Sequence, residues 1–158
     1  VSEVGYSLVA SATGPDDMRL ISVVIGSGSE AQRADESKKL LTYGFRFYQN
    51  VTPYKQGAEL ATQRIWMGDK SEITLGTDRD ISLVVPRNSS SKLKADFQLK
   101  NELNAPIKKG EQVGIIFLKL DGKDVAQYPL VALEEVNEGS LFSRLWDYLV
   151  LLFQRLLS

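Results

Sequence analysis

The apolar and polar positions divide the chain into three stretches of different period. Residues 4–13, Val-Gly-Tyr-Ser-Leu-Val-Ala-Ser-Ala-Thr, read as a strand of small residues. Gly-Pro-Asp-Asp at 14–17 reads as a turn, and residues 18–25, Met-Arg-Leu-Ile-Ser-Val-Val-Ile, as a second strand. The pair predicts an antiparallel hairpin, and the nearly continuous apolar run of the second strand predicts cover on both of its faces. Ser29 and Gln32 have the spacing of a capping box, which opens a helix running to about Tyr48. Its apolar stripe is Ala34, Leu41, Phe45 and Tyr48, flanked by Leu40 and Phe47. Two strands and one helix cannot close a core, so this opening third calls for a partner sheet outside the chain.

From Asn50-Val-Thr-Pro53 the period becomes short. Strand-like runs fall at 58–67, 72–75, 80–85, 93–99, 112–120 and 124–136, with Gly, Pro, Asn and Asp turns between them. Asp121-Gly122 between two apolar-rich runs is a strong hairpin signal. Six strands at this spacing, with no helical stretch between, predict a β-sandwich or a small barrel.

The last nineteen residues change period again. At about 100° per residue, Phe142, Leu145, Trp146, Leu149, Leu152, Phe153, Leu156 and Leu157 share one broad arc, with Leu141, Tyr148 and Val150 at its edges. Ser140, Ser143, Arg144, Asp147, Gln154, Arg155 and Ser158 share the narrower opposite stripe, interrupted by Leu151. Such a helix is roughly 28 Å long. Arg144, Asp147 and Arg155 lie inside it, however, and a span needs about 20 mostly apolar residues. Three readings stand: a helix packed on its own domain, a helix lying flat in a membrane interface, and a span. The width of the arc, its aromatics and the flanking arginines favour the interfacial helix.

Composition narrows the chemistry. The chain has 158 residues, 43% hydrophobic, with a net charge of −1 and a sequence pI of about 5.6. Acidic and basic residues are interleaved without a basic stripe, which argues against nucleic acid as a partner. Cysteine and histidine are both absent. Their absence excludes Ser-His and Cys-His nucleophiles and His-based zinc sites within the chain, so serine chemistry here would need a lysine base. The opening Val-Ser-Glu-Val-Gly-Tyr has no basic or apolar leader and reads as a cut through something larger.

Gly5-Tyr-Ser-Leu-Val-Ala-Ser-Ala-Thr13, Met18-Arg-Leu-Ile-Ser-Val-Val24 and Glu36-Ser-Lys-Lys-Leu-Leu-Thr-Tyr-Gly-Phe-Arg-Phe47 closely resemble the low-molecular-mass penicillin-binding proteins. The likeness is to the D-alanyl-D-alanine carboxypeptidases of the penicillin-binding protein 5 and 6 type. It continues through Arg64-Ile-Trp-Met-Gly-Asp-Lys70, Leu93-Lys-Ala95, Leu120-Asp-Gly-Lys123 and Pro129-Leu-Val131 into the terminal helix. The resemblance implies a periplasmic hydrolase that trims the terminal D-Ala from peptidoglycan stem pentapeptides and is trapped by β-lactams. It implies a transpeptidase-like catalytic domain, a smaller all-β domain, and an amphipathic helix on the outer face of the inner membrane.

The family's catalytic motifs are Ser-x-x-Lys, Ser-x-Asn and Lys-Thr-Gly, and all would lie upstream of Val1. Ser89-Ser-Ser-Lys92 and Ser91-Lys-Leu-Lys94 spell the first, but in a polar loop between strands rather than at a helix in a cleft. Lys55-Gln-Gly57 and Lys108-Lys-Gly110 read as turns. Arg33 aligns with a family arginine that helps hold the substrate's terminal carboxylate, a task suited to the paired donors of guanidinium. From the residues alone, Arg33 is an exposed arginine in the first turn of a helix. Asp78/Asp80 and Asp121/Asp124 lack the ligand count and glycine of a calcium loop. Trp66 reads as core, and Glu134, Glu135 and Glu138 as a solvated connection to the helix.

The expected fold is α+β. Residues 1–49 would close a transpeptidase-like (serine β-lactamase-like) domain, residues 50–137 would form an all-β sandwich, and residues 138–158 an amphipathic membrane-anchor helix. The expected function is the C-terminal part of a serine-type D-Ala-D-Ala carboxypeptidase. It would be inactive alone, would need no metal or cofactor, and would meet peptidoglycan pentapeptide and β-lactams only through the upstream part. A non-enzymatic membrane-bound β module that recruits cell-wall partners is the alternative. Substrate-binding Arg33 and the membrane-contacting arc from Phe142 to Leu157 are the candidate site residues.

Overall fold

The computed structural model describes residues 5–140, 146–150 and 152. The chain divides into two compact units, Val1–Val51 with Ser82–Ser91, and Thr52–Ile81 with Lys92–Ser158.

In the first unit, β1 (Tyr6–Thr13) pairs antiparallel with β2 (Arg19–Ser27), setting Thr13 opposite Arg19 and Leu8 opposite Val24. Side chains alternate across a strand, so the hairpin has two faces. Leu8, Ala10, Ala12, Leu20, Ser22 and Val24 form the inner one. The helix α1 (Glu30–Phe47) starts where the Ser29 hydroxyl oxygen accepts the Gln32 N–H at 3.1 Å. The Gln32 side-chain oxygen in turn accepts the Gly28 N–H at 3.1 Å, one residue before the reciprocal partner of a standard capping box. The helix lies on the inner face through small groups. Ser22 and Ser37 are hydrogen-bonded hydroxyl to hydroxyl at 2.6 Å, both buried. Gly44 comes so close to Leu20 that a Cβ there would stand 2.4 Å from its Cδ1. At the other end, Arg87 donates its backbone N–H to the Phe47 carbonyl and its Nη2 to the Phe45 carbonyl, both at 2.9 Å. A cation at a helix C-terminus satisfies open carbonyls and opposes their partial charge.

Three expectations change here. Leu41 and Phe45 are part-buried, but Ala34, Leu40, Phe47 and Tyr48 are exposed, because the helix turns Ser37 and Gly44 to the hairpin instead. The outer face of the hairpin is not covered by the described residues: Val9, Ile21, Val23 and Ile25 are 69%, 65%, 55% and 77% exposed. The helix occupies one side only. Finally, β3 (Tyr48–Tyr54) follows α1 without a linker and pairs with β6 (Ile81–Pro86) in a two-stranded ribbon. Residues 82–91 thus join the first unit, which sequence position alone does not suggest.

The second unit is built on a five-stranded antiparallel sheet in the order β4-β5-β9-β8-β7. Its strands are β4 (Glu59–Arg64), β5 (Glu72–Gly76), β7 (Leu93–Leu99), β8 (Gln112–Leu120) and β9 (Lys123–Ala132). Asp121 and Gly122 join β8 to β9 with φ of 49° and 79°. Two successive positive φ values make a type I′ turn, whose twist matches the flanking strands. Ile73 and Leu75 of β5, Ile116 and Leu118 of β8, and Leu130 of β9 are fully buried. Each such side chain contributes about 1.5–3 kcal/mol relative to exposure. Mostly β with one long helix, the described chain is in keeping with a β-sandwich domain preceded by an α+β segment.

Candidate functional site

Arg33 stands on the first turn of α1, where a cation opposes the helix dipole. Two contacts hold it there. Its Nη1 donates to the Ser7 carbonyl of β1 at 3.0 Å, and its Nη2 to Glu30 Oε1 at 3.0 Å. Its Cζ lies 5.8 Å from the centre of the Tyr6 ring, and the side chain is 28% exposed. Guanidinium carries five N–H donors in a fixed plane. The arrangement leaves an edge that could receive a second carboxylate in competition with Glu30, itself largely exposed. It also ties the start of the helix to the hairpin, a purely structural task.

The Ser-x-x-Lys sequences have none of this shape. Ser90–Lys92 is a single 3₁₀ turn, and Lys92 Nζ pairs with Asp121 at 3.2 Å on the surface. Lys94 faces outward on β7 opposite Lys119. At Gly57 and Gly110 the Lys-x-Gly sequences are turns with positive φ, as expected. Trp66 is 8% exposed, with the Arg64 guanidinium carbon 3.8 Å from its ring centre, so it is core and not a sugar platform. Asp78 binds Arg79, and Asp80 accepts the Gln56 N–H at 2.8 Å. Among the described residues no cluster of acidic side chains could hold a metal, and no buried side-chain polar atom lacks a partner.

Glu134 corrects an expectation. It is not a solvated connection: it accepts the Thr74 N–H at 3.1 Å and an ion-pair hydrogen bond from Lys70 Nζ. That lysine, and then the backbone N–H, hold its carboxyl below the usual range. The segment beyond it is folded as well. Val136 is fully buried and exchanges two backbone bonds with Ile107 at 2.9 Å. Asp69 and Asn137 bond reciprocally, and the Gly139 N–H donates to the Met67 carbonyl at 2.8 Å. Residues 146–150 and 152 are helical. Trp146, Leu149 and Leu152 of the predicted membrane face are exposed, with Trp146 at 68%. Phe142, Leu145, Phe153, Leu156 and Leu157 lie outside the described residues. No helix among those described is long and apolar enough to cross a membrane.

The family model for "Penicillin-binding protein 5, C-terminal domain" matches residues 48–138, more than half of the chain. The chain belongs to this family. D-alanyl-D-alanine carboxypeptidase DacC of Escherichia coli (strain K12) is 49% identical over 152 residues, covering 96% of this chain and 38% of the relative. DacA of the same organism is 47% identical over the same share of each chain. A crystal structure of penicillin binding protein 5 from Haemophilus influenzae superposes with a TM-score of 0.76 at 40% identity. The likeness covers 87% of this chain and 40% of that one. The chain thus spans about two-fifths of the length of these relatives. The penicillin-binding protein 5 C-terminal domain begins with β3 and ends at Glu138, so Arg33 and the terminal helix both lie outside the matched range.

Sequence reasoning missed the contacts of Arg87 with the Phe45 and Phe47 carbonyls and of Glu134 with Lys70 and the Thr74 N–H. These depend on groups far apart in the chain that the fold brings close, and the backbone partners carry no residue-type signal.

Proposed function

We propose that this chain is the C-terminal part of a serine-type D-alanyl-D-alanine carboxypeptidase that removes terminal D-Ala from peptidoglycan stem peptides. The nucleophile and its lysine belong to upstream polypeptide, and the isolated chain is inactive. Residues 50–137 act as a stand, and the terminal helix rests on the periplasmic face of the inner membrane through Trp146, Leu149, Leu152 and the rest of the apolar arc. Peptidoglycan pentapeptide and β-lactams are met by the upstream part, with Arg33 at the cleft's edge receiving the substrate carboxylate.

The observation that carries this reading is identity of 47–49% to named carboxypeptidases along 96% of the chain, including the hairpin and helix that precede the matched domain. The open face of Val9, Ile21, Val23 and Ile25 supports it, since an apolar sheet face of this kind is stable in a whole protein only when something lies on it. Labelled penicillin tests it. The full-length gene product should be labelled covalently and the isolated chain should not. Labelling of the isolated chain, or of neither, contradicts the proposal. Flotation with phosphatidylethanolamine–phosphatidylglycerol liposomes tests the anchor: the chain should float and a form ending at Glu138 should not.

A further inference from the structure

The carboxylate of Asp147, on the polar side of the terminal helix, accepts the backbone N–H of Met67 at 2.8 Å. Met67 is a tight place in the second unit. Its φ is 61°, unusual for a side chain of this size, and its carbonyl is already taken by the Gly139 N–H. Its two neighbours are fixed too: the Trp66 N–H donates to the Leu103 carbonyl, and Gly68 bridges Glu138. The turn therefore presents one N–H outward from a rigid frame, and the helix supplies a charged acceptor for it. Hydrogen bonds to an ionised acceptor are about twice as strong as neutral ones. At about 100° per residue, Leu149 and Leu152 stand roughly 200° and 140° around the helix from Asp147. With Asp147 turned to the domain, these exposed leucines face away from it.

We infer that Asp147 is a positioning residue: it seats the terminal helix on the Met67 turn, so that helix and β domain move as one body with the apolar face directed outward. The consequence for membrane orientation rests on the anchor reading given above; the seat itself does not. An anchor joined by a free tether would let the domain swing, whereas a seated helix fixes the domain's tilt on the surface it binds.

The test uses the whole chain. Met67 amide hydrogen exchange is followed by NMR in wild type, Asp147→Ala and Asp147→Asn. Asp147→Ala should speed exchange at Met67 by at least about tenfold, with β8 and β9 amides unchanged. Asn retains an acceptor oxygen and should restore most of the protection. Because the chain has no cysteine, spin labels can be placed at Lys123→Cys and Tyr148→Cys without background. On phosphatidylethanolamine–phosphatidylglycerol vesicles, the distance distribution should be narrow in wild type and broad with Asp147→Ala, although both float. Unchanged Met67 exchange in Asp147→Ala, or equally broad distances in both proteins, would overturn the inference. A wild-type chain that fails to float while its Met67 amide stays protected would sink the anchor reading and leave the seat standing.

Discussion

The two compact units solve the same problem unequally. The second closes a core: Ile73, Leu75, Ile116, Leu118, Leu130 and Val136 are fully buried. In the first, the buried hydrophobic residues among those described are Met18 and Val85, and the hairpin shows four large apolar side chains on its outer face. Both are built from similar strands with alternating side chains. What differs is how many layers the chain supplies. A five-stranded sheet brings enough strands to cover itself with the loops and turns between them, while a hairpin with one helix can cover one face. Regular secondary structure is therefore no sign that a segment is self-sufficient.

The sharpest way to break this contrast is to cut into each unit separately. Leu118→Ala removes a fully buried side chain from β8, an interior strand of the sheet, and should cost about 2–5 kcal/mol by urea unfolding. A loss well under 1 kcal/mol would mean that the second unit's core is looser than its burial indicates.

Acid should act next, and chiefly on the second unit. Glu134 is held below the usual carboxylate range first by Lys70, Asp96 by Lys119, and Asp78 by Arg79. Carboxyls of the unfolded chain titrate near about 4. Below that, the unfolded chain takes up protons before the folded one does. The stabilisation from these pairs is thus complete above the ordinary range and is lost as pH falls through the lower folded values. All three pairs are on the surface, so the effect should be modest. Glu134→Gln should flatten the acid limb of the unfolding midpoint, and an unaltered limb would assign that limb to other carboxyls. The cations show the opposite dependence in both units, as Lys70 and Lys119 are raised by Glu134 and Asp96 in the second and Lys39 is raised in the first. Lys39, raised first by Asp35 and then by Glu36, contributes below its ordinary range and loses that contribution as pH rises through its folded value.

The smallest effect is expected at the open face. Val23→Ser should change the stability of this chain by no more than about 0.5 kcal/mol, as for other exposed sites. A loss near that of Leu118→Ala would mean that the face is covered after all.

Much of the fold was legible because it depends on side-chain period. The Asp121-Gly122 hairpin, the helix start at Ser29, Trp66 as core and the strands 93–99 and 112–120 all follow from local pattern. β3 was not legible: Gln49, Asn50, Thr52 and Pro53 give it a polar, proline-bearing sequence, tolerated in a two-stranded ribbon but unlike a central strand. Nor was the helix face, since a buried Ser37 paired with Ser22 looks polar until both are placed. At the candidate site, Arg33 was found through family likeness, while its partner Ser7 offers only a backbone carbonyl. Asp147 was visible as a polar-stripe residue, yet its Met67 partner is again backbone.

Hydrogen exchange of the hairpin, compared between this chain and the longer polypeptide proposed above, tests the central contrast most directly. Amides of β1 and β2 should exchange early in the chain alone and reach the protection of the most stable strands in the longer polypeptide, while β8 and β9 are protected in both. Equal protection of the hairpin in the two proteins would contradict the account, because the first unit would then be complete without anything laid on its outer face.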